Sequence, residues 1–196
     1  MMKEELNEIL QEEKRLYLGN DENRIRHMKQ SYHKRYVIWK YLYYFRCCQY
    51  WRDMRSDKSI SRWSRKLAKW KHRYYDKKRN IFSERTGVEI GIDCRIGKNC
   101  DIWHSGVVIN GNIGDNCVFH GNNVIGNKGM NHEKENPVLG NSVDLGAGAI
   151  VIGNVEIADK CIIGAGTVVT KSFTKKGTVI VGVPGRELRS KESGRE

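Results

Sequence analysis

The chain has 196 residues, enough for one good-sized domain and an appendage, and carries a formal charge of +12. It holds no apolar run near the roughly 20 residues that a bilayer crossing needs. Its charged start, MMKEELNEILQEEKR, lacks the apolar centre of an export signal, so a cytoplasmic protein is expected.

The charge is unevenly spread. Residues 1–20 hold three Lys/Arg against five Asp/Glu, residues 21–86 hold twenty against six, and residues 87–196 hold twelve of each. Fourteen of the eighteen aromatic residues also fall in 21–86. The chain therefore divides into a basic, aromatic-rich helical segment over 1–86 and a balanced region over 87–188. A charged tail over 189–196 is expected to be disordered.

Residues 3–16 predict a helix with Leu6, Ile9 and Leu10 on one side, ended by Gly19-Asn20-Asp21. A long helix is expected from about Glu22 to Trp51, aromatic almost all round. A further helix, from about Ser59 to Lys78, repeats Ile60, Trp63, Leu67 and Trp70 at helical spacing, with Arg62, Arg65, Lys66, Lys69 and Arg73 on its other faces. Two uses of the basic segment stay open. One is a cap packed on the rest of the chain or on a neighbouring subunit. The other is contact between residues 21–86 and an anionic membrane surface, with Trp and Tyr at headgroup level, which would make the protein peripheral to the inner face of the membrane. Nucleic acid would use the same charges, but no nucleic-acid motif accompanies them, and no such partner is expected.

From Leu139 the sequence counts in sixes. Leu139, Leu145, Val151, Ile157, Ile163 and Val169 are aliphatic, and the fifth residue of each hexad is small or β-branched until Phe173. The register also runs through Ile90, Ile96 and Ile102, then Ile113, Phe119 and Ile125. No helix or simple strand has this period. A fixed short repeat means a solenoid in which each turn stacks on the next. Cys94, Cys100, Cys117 and Cys161 fall on the fifth position, where a small buried side chain is wanted, so neither disulfides nor a metal is expected.

The count slips twice. Ile102 to Ile113 is eleven residues instead of twelve, and Ile125 to Leu139 is fourteen instead of twelve. The second slip reads as a polar loop, NKGMNHEKENPV. His104 stands at the first slip, His132 in the second and His120 between them, and breaks in a strict pattern are where chemistry is sought.

The stretches GVEIGIDCRIG, IWHSGVVING, NPVLGNSVDLGAGAIVIGNVEI, IIGAGTVV and VGVPGRE resemble the bacterial hexapeptide-repeat acyltransferases, and within them the serine acetyltransferase branch. The resemblance covers residues 87–188. It implies a mainly β fold, a left-handed parallel β-helix, with the α-helical segment at its N-terminus. It further implies a homotrimer with active sites between subunits, and acetyl-CoA as co-substrate.

The resemblance places the catalytic base at His104 and its carboxylate partner at Glu89. A hydroxyl is a poor nucleophile until a base takes its proton. An imidazole titrating near about pH 6.5 can do so, and a carboxylate fixes its tautomer. Acyl transfer is then direct, within a ternary complex and with no acyl-enzyme. For the coenzyme, Gly126, Gly146, Ala147, Gly164 and Ala165 offer backbone free of bulky side chains, and Lys171 and Arg186 are the candidates for its phosphates.

The acceptor side departs from the branch. Its Asp before the catalytic histidine, which holds the acceptor's ammonium, is here Trp103. Its Arg-His-Pro in the inserted loop is here Glu135-Asn136-Pro137. The branch's larger N-terminal helical domain is not found in residues 1–86. A zwitterion would lose both charge partners, each worth about 2–5 kcal/mol in a cleft. An aromatic platform at Trp103, with His120, Glu135 and Asn136 as polar contacts, suits a sugar ring. The expectation is an O-acetyltransferase acting on a sugar or surface-polysaccharide precursor, with serine O-acetylation as the alternative and a non-catalytic β-helix scaffold behind both.

Overall fold

A computed structural model gives the structure of the chain, which describes residues 2–129 and 135–188. His132 and the tail over 189–196 lie outside the described residues. Four helices come first: α1 (Lys3–Leu18), α2 (Glu22–Gln30), α3 (Lys34–Ser56) and α4 (Arg62–Thr86). Fourteen short strands follow among the described residues: β1 (Val88–Ile90), β2 (Asp101–Ile102), β3 (Val107–Ile109), β4 (Asn112–Ile113), β5 (Val118–Phe119), β6 (Val124–Gly126), β7 (Val138–Leu139), β8 (Asp144–Leu145), β9 (Ile150–Ile152), β10 (Glu156–Ile157), β11 (Ile162–Ile163), β12 (Val168–Val169), β13 (Val179–Val181) and β14 (Arg186–Glu187).

The strands make the three faces of a left-handed parallel β-helix. The first face is ordered β1-β3-β6-β9-β12, the second β10-β7-β4 and the third β14-β13-β11-β8-β5-β2. Only β14 runs antiparallel to its neighbour. Corners every six residues keep each strand to two or three residues. Strand partners in the regular coils are 18 residues apart, as in Asp144↔Ile162 and Ile150↔Val168. The hexad aliphatics point inward and are sealed, with Leu145, Val151, Ile157, Ile163 and Val169 at 0 % exposure. The fifth positions are buried with them, and the thiols of Cys94, Cys117 and Cys161 donate to backbone carbonyls of the neighbouring coil. All six cysteines are free and buried.

One corner, from second face to third, carries a side-chain ladder. Lys98 N donates to Asp115 Oδ1, Asp115 N to Asn141 Oδ1 and Asn141 N to Asp159 Oδ1, each at 2.8 Å. A short carboxylate or amide oxygen thus satisfies the turn amide that the coil's own backbone cannot reach.

The insert is larger than the count suggested. Across it, partners are 26 residues apart, as in Val124↔Ile150, eight more than a regular coil. Ile125 and Leu139 lie on consecutive faces, a step that takes six residues between Val151 and Ile157.

The expected long helix from Glu22 to Trp51 is two helices. The chain breaks at Ser31-Tyr32-His33, where Tyr32 has φ +49° and the His33 side chain caps α3 by accepting from Arg35 N. No Gly or Pro marks this break. The last helix starts three residues later than expected, at Arg62 with Ser61 as its cap, and runs eight residues past Lys78 to Thr86, where the left-handed φ of +64° at Gly87 ends it against β1.

The helices close the open end of the solenoid. A first coil exposes a row of unpaired N–H and C=O groups, which costs stability and invites aggregation. Here α1 and α3 supply the missing partners. The Tyr17 hydroxyl accepts from Ile102 N (2.7 Å) and donates to Cys100 O (3.1 Å), and the Tyr41 hydroxyl accepts from Ile90 N (2.7 Å). Arg46 donates to Ile96 O and Gly97 O while paired with Glu13, with both side chains 5 % exposed or less. Gln49 donates to Ile92 O and Cys94 O. Burial pushes the Tyr17 and Tyr41 phenols well up from their ordinary range. One continuous apolar core runs from Tyr17 through α3 into the coils as far as Ile180.

Candidate active site

His104 leaves the third face directly after β2 and sits on the corner that leads to the first face. That corner is built of small residues down its length. Beneath His104 lies Gly121, where a Cβ would come within 2.5 Å of His104 Cβ. Below it, Gly148 N donates to Gly121 O, and Gly166 N donates to Ala147 O, both at 2.9 Å. The two Gly-Ala-Gly turns, 146–148 and 164–166, therefore stack in register. A Cβ at Gly166 would meet nothing within 4 Å, so the column is smooth and open on its outer side. Asn123, fully buried, ties the column together from within: its Nδ2 donates to Gly146 O (2.8 Å) and its Oδ1 accepts from Gly121 N (2.9 Å).

Around His104 the structure assembles residues from four elements. Lys34, the first residue of α3, places Nζ 3.3 Å from His104 Nδ1. Lysine can only donate, so this contact makes Nδ1 the acceptor. Arg35 donates to Asp101 Oδ1 (2.6 Å), and Trp103 Nε1 donates to Asp101 Oδ2 (3.0 Å). Trp103 packs against His120 of the next coil, with ring centroids 4.3 Å apart and the planes tilted by 37°. His120 Nε2 lies 2.9 Å from Asp144 Oδ1. The two atoms are close but not aligned as a hydrogen bond, and Nε2 has no hydrogen-bond partner among the described residues.

Of the residues anticipated from sequence, His104, Trp103 and His120 come together, and Gly146, Ala147, Gly164 and Ala165 line the column beneath them. Glu89 does not join them in a single chain. It points outward from β1 and lines a cavity of about 330 Å³ with Tyr41, Arg79 and Ser83, and among the described residues no hydrogen bond links it to His104. Gly126 ends β6 on the corner between first and second faces, a different corner from that of His104. Glu135 and Asn136 enter β7 on the same corner as Gly126, with Asn136 Oδ1 accepting from Asn127 Nδ2 at 3.3 Å. Lys171 follows β12 and lies over the Phe173 ring, 5.5 Å to the centroid. Arg186 is exposed on β14, on the third face, so the two cations stand on different corners.

Lys34, Asp144, Asn123 and Gly121 were not picked out from sequence. Asn123 had a signal, being a polar residue on a fifth position where every neighbour is small and apolar. Lys34 had none, since it reaches His104 across 70 residues of chain.

No protein-family model matches the chain. Among known proteins it is 42 % identical over 106 residues to the serine acetyltransferase of Synechococcus elongatus, covering 53 % of this chain and 43 % of that one. It is 36 % identical over 138 residues to the serine acetyltransferase of Staphylococcus aureus strain Mu50, covering 65 % of this chain and 63 % of that one. The chain thus spans between two fifths and two thirds of the length of these relatives. Among solved structures, soybean serine acetyltransferase superposes with a TM-score of 0.66 at 25 % identity, covering 93 % of this chain and 69 % of that one. The Neisseria gonorrhoeae enzyme gives 0.68 at 22 % identity over 95 % of this chain and 67 % of its own. Coverage this wide takes in the helical segment, so residues 1–86 share an architecture with these structures that their sequence does not display.

These findings overturn the sugar acceptor. The relatives are named for serine, and nothing supports a role in surface-polysaccharide synthesis. The indole of Trp103 packs one face against His120, donates its N–H to Asp101 Oδ2 and remains 43 % exposed, a geometry that does not by itself select a sugar. In sequence, and in the left-handed β-helix with its helical start, the chain is similar to serine acetyltransferases.

Proposed function

We propose that this protein is an acetyl-CoA-dependent serine O-acetyltransferase. The observation that carries the reading is the corner column, which sets His104 at the head of two stacked Gly-Ala-Gly turns. A linear pantetheine arm fits where no side chain projects, and the backbone of Ala147 and Ala165 supplies hydrogen bonds to its amides. Lys171 and Arg186 are the phosphate candidates. They stand on different corners, as do His104 and the Glu135-Asn136 loop, so a complete site draws on two neighbouring copies. A homotrimer with its sites between subunits meets that need. Coenzyme A bound to a serine acetyltransferase of the same fold supports the donor.

His104 Nε2 takes the proton of the serine hydroxyl as its oxygen attacks the thioester carbonyl. Backbone N–H groups of the corner hold the oxyanion. The C–S bond then breaks, and the proton passes from His104 to the departing thiolate, giving O-acetylserine and the free thiol. Basicity at Nε2 requires a proton on Nδ1, which the Lys34 contact opposes. The serine carboxylate resolves this by drawing Lys34 to itself. It replaces the missing loop arginine as the carboxylate's partner and frees Nδ1 for Glu89. Asp144, beside His120, is the anion available for the ammonium.

The experiment is acceptor-dependent thiol release from acetyl-CoA with L-serine, for the native chain and for His104→Ala. Release that needs both serine and His104 is the expected result. No serine-dependent release from a folded protein would return the chain to the scaffold reading.

A further inference from the structure

The cap has one face that the solenoid does not use. α4 packs on α3 through Ala68, fully buried, and through Tyr75 and Phe82 against Tyr44. On the opposite side Trp63, Leu67, Trp70 and Tyr74 are 81, 51, 60 and 45 % exposed. Their spacing of four, three and four residues puts them in one stripe along the helix. Isolated exposed apolar residues are ordinary, but two tryptophans, a leucine and a tyrosine in one line are not.

Cations border the stripe. Lys66 lies over the Trp63 ring, Lys71 over Trp70 and Lys78 over Tyr74, with centroid distances of 5.4, 5.3 and 5.9 Å. Between Arg62 and Arg79 the helix holds nine Lys/Arg against Asp76 alone. This charge excludes a second copy of α4 as occupant, because pairing two such faces would bring like charges together with no compensating anions. The partner must be anionic and must accept a row of indoles. A lipid headgroup layer does both: tryptophan and tyrosine lodge at its depth, and lysines beside them meet anionic phosphates. No helix among the described residues is long and apolar enough to cross a membrane, so the contact is with the surface.

We propose that α4 docks this protein, through the Trp63–Leu67–Trp70–Tyr74 stripe and its flanking lysines, on anionic lipid. The inference does not depend on which acceptor the corner site uses. The test is sedimentation of the full chain with vesicles of phosphatidylcholine containing about one third phosphatidylserine, and with pure phosphatidylcholine, at about 0.1 M and about 0.5 M salt. Binding to the anionic vesicles at low salt, weakened strongly at high salt and absent on pure phosphatidylcholine, is expected. Trp63→Ala/Trp70→Ala should weaken it about tenfold or more, and Lys66→Glu/Lys71→Glu should abolish it. Trp63, Lys66 and Trp70 are exposed and Lys71 is half-buried with its Nζ over the Trp70 ring, so both variants should keep the native circular dichroism. Failure to sediment at low salt overturns the proposal. So does binding unchanged in both variants, or retention on duplex DNA or RNA with none on vesicles.

Discussion

Tyr17→Phe isolates what the helical cap contributes. Tyr17 is 2 % exposed, and among the described residues its hydroxyl alone meets both Ile102 N and Cys100 O, at 2.7 and 3.1 Å. Phenylalanine keeps the ring and its packing, so no cavity opens. What is lost is one acceptor and one donor, leaving a buried N–H and a buried C=O unsatisfied. Each such group costs about 1–3 kcal/mol, and some relaxation is inevitable, so the sum is about 2–4 kcal/mol. Tyr41→Phe is the internal comparison. Its hydroxyl serves Ile90 N alone, and its loss should cost about 1–2 kcal/mol. Urea unfolding followed by circular dichroism, at one fixed protein concentration, measures both. A cost for Tyr17→Phe below about 0.5 kcal/mol, or one smaller than that of Tyr41→Phe, would refute the claim that the cap works by satisfying the first coil's open edge.

Other outcomes follow from the same contacts. Burial raises the Tyr17 and Tyr41 phenols, and Cys47 and Cys48 are pushed up to about 11 by burial. In each case the unfolded chain gives up its proton first, so stability should fall from about pH 9 upward, as the unfolded thiols and then the phenols ionise. Denaturation midpoints between about pH 8 and 11 would show it, and a flat profile would contradict it. Gly121→Ala puts a methyl 2.5 Å from His104 Cβ at a φ of +121°, so His104 must move. Thiol release should drop at least about tenfold while the circular dichroism stays native. Lys34→Gln should raise the KM for serine about tenfold or more and leave serinamide, which lacks the carboxylate, unaffected. An unchanged serine-to-serinamide ratio would remove Lys34 from acceptor binding without touching the case for serine as substrate.

The solenoid was legible because its period is imposed residue by residue. Every aliphatic in the count of six, from Ile90 to Val169, turned out to point into the core. The cysteines were legible for the same reason, since a position that must be small and buried states its role wherever it recurs. What the sequence concealed lay in contacts between elements far apart. Lys34 on His104, Tyr17 under the first coil and the exposure of α4 depend on how helices meet the solenoid end, which no local pattern encodes. The size of the insert was misread because a count along the chain does not say on which face each residue lands. The acceptor was misread because a few replaced positions, Trp103 and Glu135-Asn136, were weighed above a similarity that runs over more than a hundred residues.

The cap has a consequence for the order of synthesis. α1 and α3 precede the coil whose edge they complete, and each later coil pairs with the one before it. A chain leaving the ribosome at about 5–20 residues per second delivers a regular coil roughly every 1–4 seconds, whereas hairpin-scale pairing takes microseconds. Each turn therefore arrives at a finished template and settles before the next appears. From β3 onward, each described strand finds on arrival a partner that has already been made. A fold dense in strands thereby avoids the long-range searches that slow most β proteins, because its helices are translated first.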